Sequence, residues 1–440
     1  MPPGRAFRDV AHERSRRLGV ASPFGYSAVD PDRKARYSYV QFLFDHFHGA
    51  LDLRIWGYVL VALVMMHVTL IGITLYYHRD QAHRAVDLHP LLRHFFRFWL
   101  WMNTGANTTE WVAVHRKHHA MCERRGDPHS PQIFGLRTVL LRGAELYREE
   151  AANRETLEKY SRGTPDDWLE RNVYSRWPNM GMVILVLSDL VLFGVPGIIL
   201  IAVQLSTMPV LAAGVINGLG HAKGYRNFDT DDASTNLWPI GIFVAGEELH
   251  NNHHAFPSSA RFSQRPWEVD IGWLHLKMFV ALGLAKIRRV APKPELLAEQ
   301  ATPDVDALRA IIVNRMHVLR HYTLSVTVPN LRRELDQLGD SANSVVRRAR
   351  RLLSWQPSLL DEGARDRLVE LTERYPNIKV VMEFRSELKA LWEGAHSSNE
   401  RLLADLREWC ARAEASGIQG LKEFAAYLRS FRSMPEPALA

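Results

Sequence analysis

Residues 55–77 read IWGYVLVALVMMHVTLIGITLYY, a stretch without a formal charge, and the residue that follows is a histidine. At ~1.5 Å of rise per residue such a helix reaches roughly 34 Å, enough to cross a hydrocarbon core about 30 Å thick. A membrane span is therefore expected, running into the sequence HRDQAH, which places His78 and His83 at its end. A second apolar stretch extends from Gly181 to Gly220, interrupted at Gly194, Pro196 and Gly197 and again near Pro209. It is about twice one crossing long and reads as a helical hairpin that returns the chain to the side it left. Between the two, residues 91–106 (LLRHFFRFWLWMNTGA) carry Arg93, His94 and Arg97 and read as an interfacial or re-entrant helix. The stretch from Trp273 to Leu284, closed by Lys286, Arg288 and Arg289, reads as a further helix lying on the membrane. Residues 37–54 contain Asp45, His46, His48 and Asp52, which leaves the expected number of spans at three or four.

The bulk composition is compatible with this and decides little. A mean hydropathy of -0.18 averages a strongly apolar part with a strongly charged one. The 55 Lys+Arg against 48 Asp+Glu, a net charge of +7, suit an anionic membrane surface or nucleic acid and do not choose between them. Cys122 and Cys410 lie far apart and outside any CxxC, so neither a disulfide framework nor a thiolate metal site is expected, and the compartment reads as reducing. Arg5, Arg8, Arg14, Arg16 and Arg17 have no apolar stretch behind them, which argues against a cleaved secretory signal and for a solvated or lipid-facing tail. From about Pro294 onward, stretches such as SVVRRARRLL and NERLLADLREW repeat Arg, Glu, Leu and Ala with helical periodicity. The expected fold is all-α. A basic segment over 1–50 precedes an integral-membrane helical domain over 51–290, capped by a cytoplasmic His-rich helical domain, and a soluble helical tail follows over 291–440.

Of the 20 histidines, eight fall into three tight clusters, each beside a membrane segment. His78 and His83 form HxxxxH; His115, His118 and His119 form HxxHH; His250, His253 and His254 form a second HxxHH; His221 closes NGLGH at the end of the hairpin. On a helix, positions i, i+3 and i+4 share one face, so either HxxHH can aim three imidazoles at one locus. HxxxxH cannot do so on an ideal α-helix, because five residues turn about 500°. Imidazole suits iron, zinc and copper, and nine such ligands exceed what a single ion of four to six coordination uses, which points to two metals. Structural zinc closes with four ligands, often cysteines, and no HExxH is present, so redox-active iron fits the ligand count better. A shared site requires all clusters on one face of the membrane. The basic residues Arg79, Arg84, Arg116 and Lys117 make that face cytoplasmic by the positive-inside rule.

HRDQAH, HRKHH and HNNHH, with NGLGH between the second and third, resemble the histidine boxes of membrane fatty-acid desaturases of the stearoyl-CoA type. DPHSP at 127–131 and GYRNF at 224–228 are similar to the desaturase branch rather than to the related alkane and sterol hydroxylases. The resemblance runs from about residue 50 to 290 and is to proteobacterial members, which continue into a helical tail. It implies that His78, His83, His115, His118, His119, His221, His250, His253 and His254 ligate two iron ions and that Asn217 holds a water at one of them. It implies O2 as co-substrate, a fatty-acyl chain as substrate, most often desaturated between carbons 9 and 10, and a place in the bacterial inner membrane. Animal acyl-CoA enzymes of this type carry Arg-Asp where this chain has Ala113 and Val114, so a phospholipid or acyl carrier protein stays open beside CoA. No heme-binding HPGG, ferredoxin cysteine spacing or GxGxxG is present, so a separate ferredoxin- or cytochrome-like donor with its reductase is expected.

The tail's VVMEFRSELKALWEG and EWCARAEASGIQGL resemble the C-terminal helical segment of some bacterial transposases. Its Arg residues interleave with Glu and Asp as on a solvated helix face, so no nucleic acid is expected as a partner. Besides the acyl desaturase, two other functions fit the residues: a membrane di-iron hydroxylase and a non-enzymatic metal- or DNA-binding membrane protein.

Overall fold

The computed structural model describes Phe42 and residues 47–297, 302–337, 343–355, 359–393 and 398–432. The basic N-terminal segment, apart from Phe42 and residues 47–50, lies outside these residues, and so does half of the 37–54 stretch. The described fold is mostly helical, its strands being two or three residues long.

Helix α1 (Ile55–Gly72) continues unbroken as a π-helix over Ile73–Ala82, giving a first apolar helix of 28 residues. Its first half exposes Trp56, Leu60, Leu63 and Val64, whereas every residue from Thr69 to Ala82 is buried. An exposed apolar collar below a buried, polar-tipped end is the surface that a helix passing from lipid into protein requires. The chain turns through a short strand β1 (Val86–Leu88) and enters α2 (Pro90–Thr104). The His89 ring caps α2 by accepting from the Leu91 N–H, Pro90 supplies a helical φ at the first position, and Gly105 ends the helix at φ 66°. The charges of this segment are consumed inside the protein. Arg97 is buried and donates to both Asp167 and Glu170, and Arg93 bridges Asp80 and Asp87.

Helix α3 (Thr108–Met121) carries the second box. Asn107 and Glu110 start it as a reciprocal capping pair: Asn107 Oδ1 accepts from the Glu110 N–H at 2.9 Å while Asn107 Nδ2 donates to Glu110 Oε1. Helix α4 (Leu136–Ala151) packs along the later hairpin. That hairpin is α5 (Met180–Phe193) and α6 (Gly197–Thr207), the latter running on as a π-helix over Met208–Leu219. The expected break at Gly194 is present, with φ 59°, but the expected break near Pro209 is not. Pro209 sits in the first turn of the π-helix, where the change of hydrogen-bond ladder absorbs its missing N–H. Among the described residues two helices, Ile55–Ala82 and Gly197–Leu219, are long and apolar enough to cross a membrane; α5, with 14 residues, rises only ~21 Å. Helix α7 (His250–Ala255) carries the third box, and α8 (Ile271–Ala281), capped by Asp270, leads to β2 (Ala285–Ile287), which pairs antiparallel with β1.

The C-terminal region builds a helical core of its own. Helices α9 (Val305–Val313), α10 (Arg315–Tyr322), α11 (Asn343–Ser354), α12 (Pro376–Glu393), α13 (Asn399–Ala415) and α14 (Gln419–Arg429) belong to it. Tyr322, Phe384, Trp409 and Phe424 are among its buried residues. Glu295 and Leu296 pair with Arg432 and Phe431, so the region's two ends meet.

Candidate metal centre

The nine histidines of the boxes converge. His78 and His83 do so because their segment is π-helical: the His83 N–H donates to the His78 carbonyl at 3.0 Å, an i to i+5 bond. Five residues then make about one turn, and the two rings stand 5.0 Å apart on one face. The obstacle raised by α-helical geometry is thus removed by the winding itself.

Each HxxHH box divides its ligands, rather than aiming all three at one locus. His78, His83, His115, His119 and His253 form one group whose ligand atoms all lie within 4.8 Å of one another. His118, His221 and His254, with Cys122, form another. His250 joins the second group, its Nε2 standing 2.9 Å from that of His221. Adjacent residues on a helix diverge by about 100°, so His115 and His119 face one group while His118 faces the other. The two groups meet where the His118 and His119 rings stand 5.6 Å apart.

Four carboxylates buttress these rings. Nδ1 of His78 donates to Glu247 at 2.8 Å, His118 to Asp127 at 3.0 Å, His221 to Glu123 at 2.6 Å and His254 to Asp232 at 2.8 Å. Each such bond fixes the tautomer and leaves Nε2 with its lone pair turned inward. His118 and His221 therefore present two lone pairs to each other across 3.2 Å, an arrangement that repels unless a cation lies between them. The other Nε2–Nε2 separations are 2.8 Å (His83–His115), 3.0 Å (His78–His253) and 2.9 Å (His119–His253). Two nitrogens bound at right angles to one ion at about 2.1 Å stand about 3.0 Å apart, so these spacings fit metal ligation. The buried Nε2 of His254 has no hydrogen-bond partner among the described residues, as a ligand atom requires.

Desolvation, with the neighbouring imidazoles adding to it, holds His83, His115, His119, His250 and His253 well below the ordinary imidazole range. They stay neutral and able to donate. Burial works against a charged His118 as well, but Asp127 outweighs it and moves this ring upward. Burial alone would raise Asp232, which the charge of His254 instead holds well below the carboxylate range.

Several residues of the site had no role in the reading of the sequence. His129 of DPHSP stacks on His118 with ring centroids 4.4 Å apart, and Asp127 of the same motif is the partner of His118. Glu123, Asp232 and Glu247 all stand within a few residues of a box or of NGLGH's following loop, and acids so placed are the available signal for outer partners. Cys122, for which no metal role was expected, has its Sγ 3.7 Å from His118 Nε2. Burial and the carboxylates around it push its thiol well above the ordinary range. Arg79, expected as a cytoplasmic surface charge, is buried, pairs with Asp270 at 2.9 Å and lies 3.9 Å over the Phe262 ring. Lys117 pairs with Glu150 at 2.8 Å.

The two asparagines of HNNHH hold α7 in place: Asn251 Oδ1 accepts from the N–H groups of Asn227 and Phe228, and Asn252 Nδ2 donates to Glu268. Against the histidines opens a cavity of about 280 Å³. Leu70, Ile73, Val114, Met208 and Ile216 line its apolar part, and His78, His115, His250, Asn217 and Trp111 its polar end. An apolar cavity that meets a polyhistidine cluster beside long apolar helices is the arrangement that a metal enzyme acting on apolar chains requires.

Comparison with known proteins is in accord. The family model described as fatty acid desaturase matches residues 54–269, and one described as transposase matches residues 297–434. Delta-9 acyl-lipid desaturase 1 of Arabidopsis thaliana is 31% identical over 232 residues, covering 52% of this chain and 74% of the relative. The sn-1 stearoyl-lipid 9-desaturase of Synechocystis is 30% identical over 227 residues, 51% of this chain and 69% of the relative. Acyl-CoA 5-desaturase AL21 of Anemone leveillei is 33% identical over 222 residues, 49% and 66% of the two chains. The chain belongs to the fatty acid desaturase family and is an oxidoreductase. That excludes the non-enzymatic reading.

Proposed function

We propose that this protein introduces a double bond, at carbon 9, into a saturated acyl chain esterified in membrane lipid, using O2 and two electrons at a di-iron centre. The observation that carries the reading is the division of nine imidazoles into two adjoining groups with carboxylates behind them, at the end of an apolar cavity. Iron with O2 supplies the oxidant that an unactivated C–H bond demands; O2, two electrons, two protons and the two hydrogens removed leave as two waters.

The chain's residues do the rest. His78, His83, His115, His119 and His253 would hold one iron, and His118, His221, His250 and His254 the other, with Asn217 facing them from the cavity wall. Leu70, Ile73, Met208 and Ile216 receive the apolar chain and keep water from it. Trp111 lies over the His115 ring at 4.9 Å and helps to set where the chain passes the centre. Buried Ala113 and Val114 favour a lipid ester over CoA, since they offer no polar contact to its phosphates, and the acyl-lipid relatives from Arabidopsis and Synechocystis support the same choice.

The boundaries 1–50, 51–290 and 291–440, three or four spans, and a cytoplasmic site on the bacterial inner membrane complete this reading, with electrons delivered by a separate ferredoxin- or cytochrome-like protein. The positions of the two family matches, 54–269 and 297–434, support the second boundary. The test is expression in a host that makes only saturated fats, followed by gas chromatography of its lipids. Monoenes in the phospholipid pool after a short label are expected; hydroxylated chains would establish a hydroxylase instead, and monoenes first in acyl-CoA would overturn the lipid-ester assignment.

A further inference from the structure

The loop over residues 226–232 (RNFDTDD) lies between the metal centre and the C-terminal helices. Three of its last four residues are acidic, and they face in two directions. Asp232 faces inward: its Oδ2 accepts from His254 Nδ1 at 2.8 Å, and the next residue, Ala233, donates its N–H to Glu123, the partner of His221. Asp229 and Asp231 face the tail. Asp229 accepts from Thr323 at 2.6 Å and from Arg385 at 3.3 Å, and Asp231 pairs with Lys389. Arg226 holds the loop from within, donating to the carbonyls of Thr230 and Asp232, and its guanidinium lies 5.1 Å over the Trp355 ring of the tail. Phe228 packs against Phe256, directly after α7, and His317 of α10 completes that contact.

We propose that the helical tail is a positioning module for the second histidine group, and that its grip on residues 226–232 determines whether the metal held by His118, His221, His250 and His254 is retained. The inference rests on the two-metal reading above. Carboxylates crowded into one short loop repel each other, and the tail's cations Arg385 and Lys389 neutralise the outward pair. With these cations removed, the loop relaxes away from the centre and carries Asp232 and the Ala233 N–H with it. His254 and His221 then lose what fixes them, an outer-partner loss of the kind that weakens metal binding by about 10–100-fold. The first group has a different support: Glu247, behind His78, accepts from Thr74 of the first membrane helix at 2.6 Å. His253 of the first group shares α7 with Asn251, which the loop also holds, but His78 and Glu247 do not touch the loop, so the effect falls chiefly on the second metal.

The test is metal content and Mössbauer spectroscopy of the full-length, iron-57-loaded protein in detergent. The parent is expected to hold two irons per chain. R385E/K389E is expected to hold one, in a single remaining environment; Asp232→Asn is expected to give the same one-iron protein, with no further loss when the changes are combined. Arg412→Glu, which breaks the exposed pair with Glu387 on the neighbouring tail helix, is expected to keep both. Two irons in R385E/K389E, equal loss of both, or loss in the Arg412→Glu control would each overturn the inference. Fewer than two irons in the parent would overturn the two-metal reading itself, and this inference with it.

Discussion

Glu247→Gln separates the charge behind the first histidine group from its shape. The carboxylate is buried and its Oε1 serves two donors at once, His78 Nδ1 at 2.8 Å and Thr74 Oγ1 at 2.6 Å. Gln is of the same size and its amide oxygen still accepts, so His78 keeps its tautomer while the negative charge that strengthens its Nε2 as a ligand is gone. Loss of such an outer partner weakens metal binding by about 10–100-fold, or about 1.4–2.8 kcal/mol. Glu247→Ala goes further, leaving two buried donors without an acceptor at a cost of about 1–3 kcal/mol each. The assay is a chelator titration of the iron-loaded protein. The expected outcome is one iron leaving at about 10–100-fold lower chelator in Glu247→Gln, earlier still in Glu247→Ala, with the second iron unmoved. A Glu247→Gln midpoint within about twofold of the parent, or an Ala variant no weaker than the Gln variant, would refute the assignment of Glu247 to His78.

Further outcomes follow from other contacts. His253→Ala removes the ring whose Nε2 stands 3.0 Å from His78 and 2.9 Å from His119, and its product, read by gas chromatography, is expected to fall to background; retained activity counts against its place in the centre. Ala212→Leu narrows the wall of the apolar cavity, so products are expected to shift toward shorter chains, and an unchanged chain-length profile argues that the substrate lies elsewhere. Arg79→Met leaves Asp270 buried without its cation and is expected to lower stability by about 3–5 kcal/mol in denaturant unfolding. The hydrogen bond from Arg97 lowers Asp167 to about 2 from its ordinary 3.8. This lowered pKa stabilises the fold above the ordinary value, and that stabilisation is lost as the pH falls through 2. Asp167→Asn is expected to flatten that part of the acid-unfolding curve, and an unaltered curve would remove Asp167 from it.

The features legible in the sequence were those written in local pattern. An uncharged run of apolar residues announced the first long helix, Gly194 and Pro196 announced the hairpin's turn, and histidine spacing announced residues that the fold brings together across as many as 175 positions. The π-helical winding of residues 73–82 was not legible, because no periodicity argument distinguishes it from an α-helix, and it alone explains how HxxxxH shares a face. Nor was the division of each HxxHH between two groups, which depends on how α3 and α7 face one another. The buttressing acids were visible as residues and silent as partners: Glu123 reaches His221 across 98 positions, a contact that only tertiary packing creates. The tail's composition spoke of a solvated helical surface, whereas Arg385 and Lys389 are turned onto the loop beside the metal centre.

The most direct test is the metal content of the chain purified from membranes in mild detergent without added metal. Two irons per chain are predicted. Iron near zero, a single ion, or zinc in its place would contradict a paired iron centre built from these nine imidazoles.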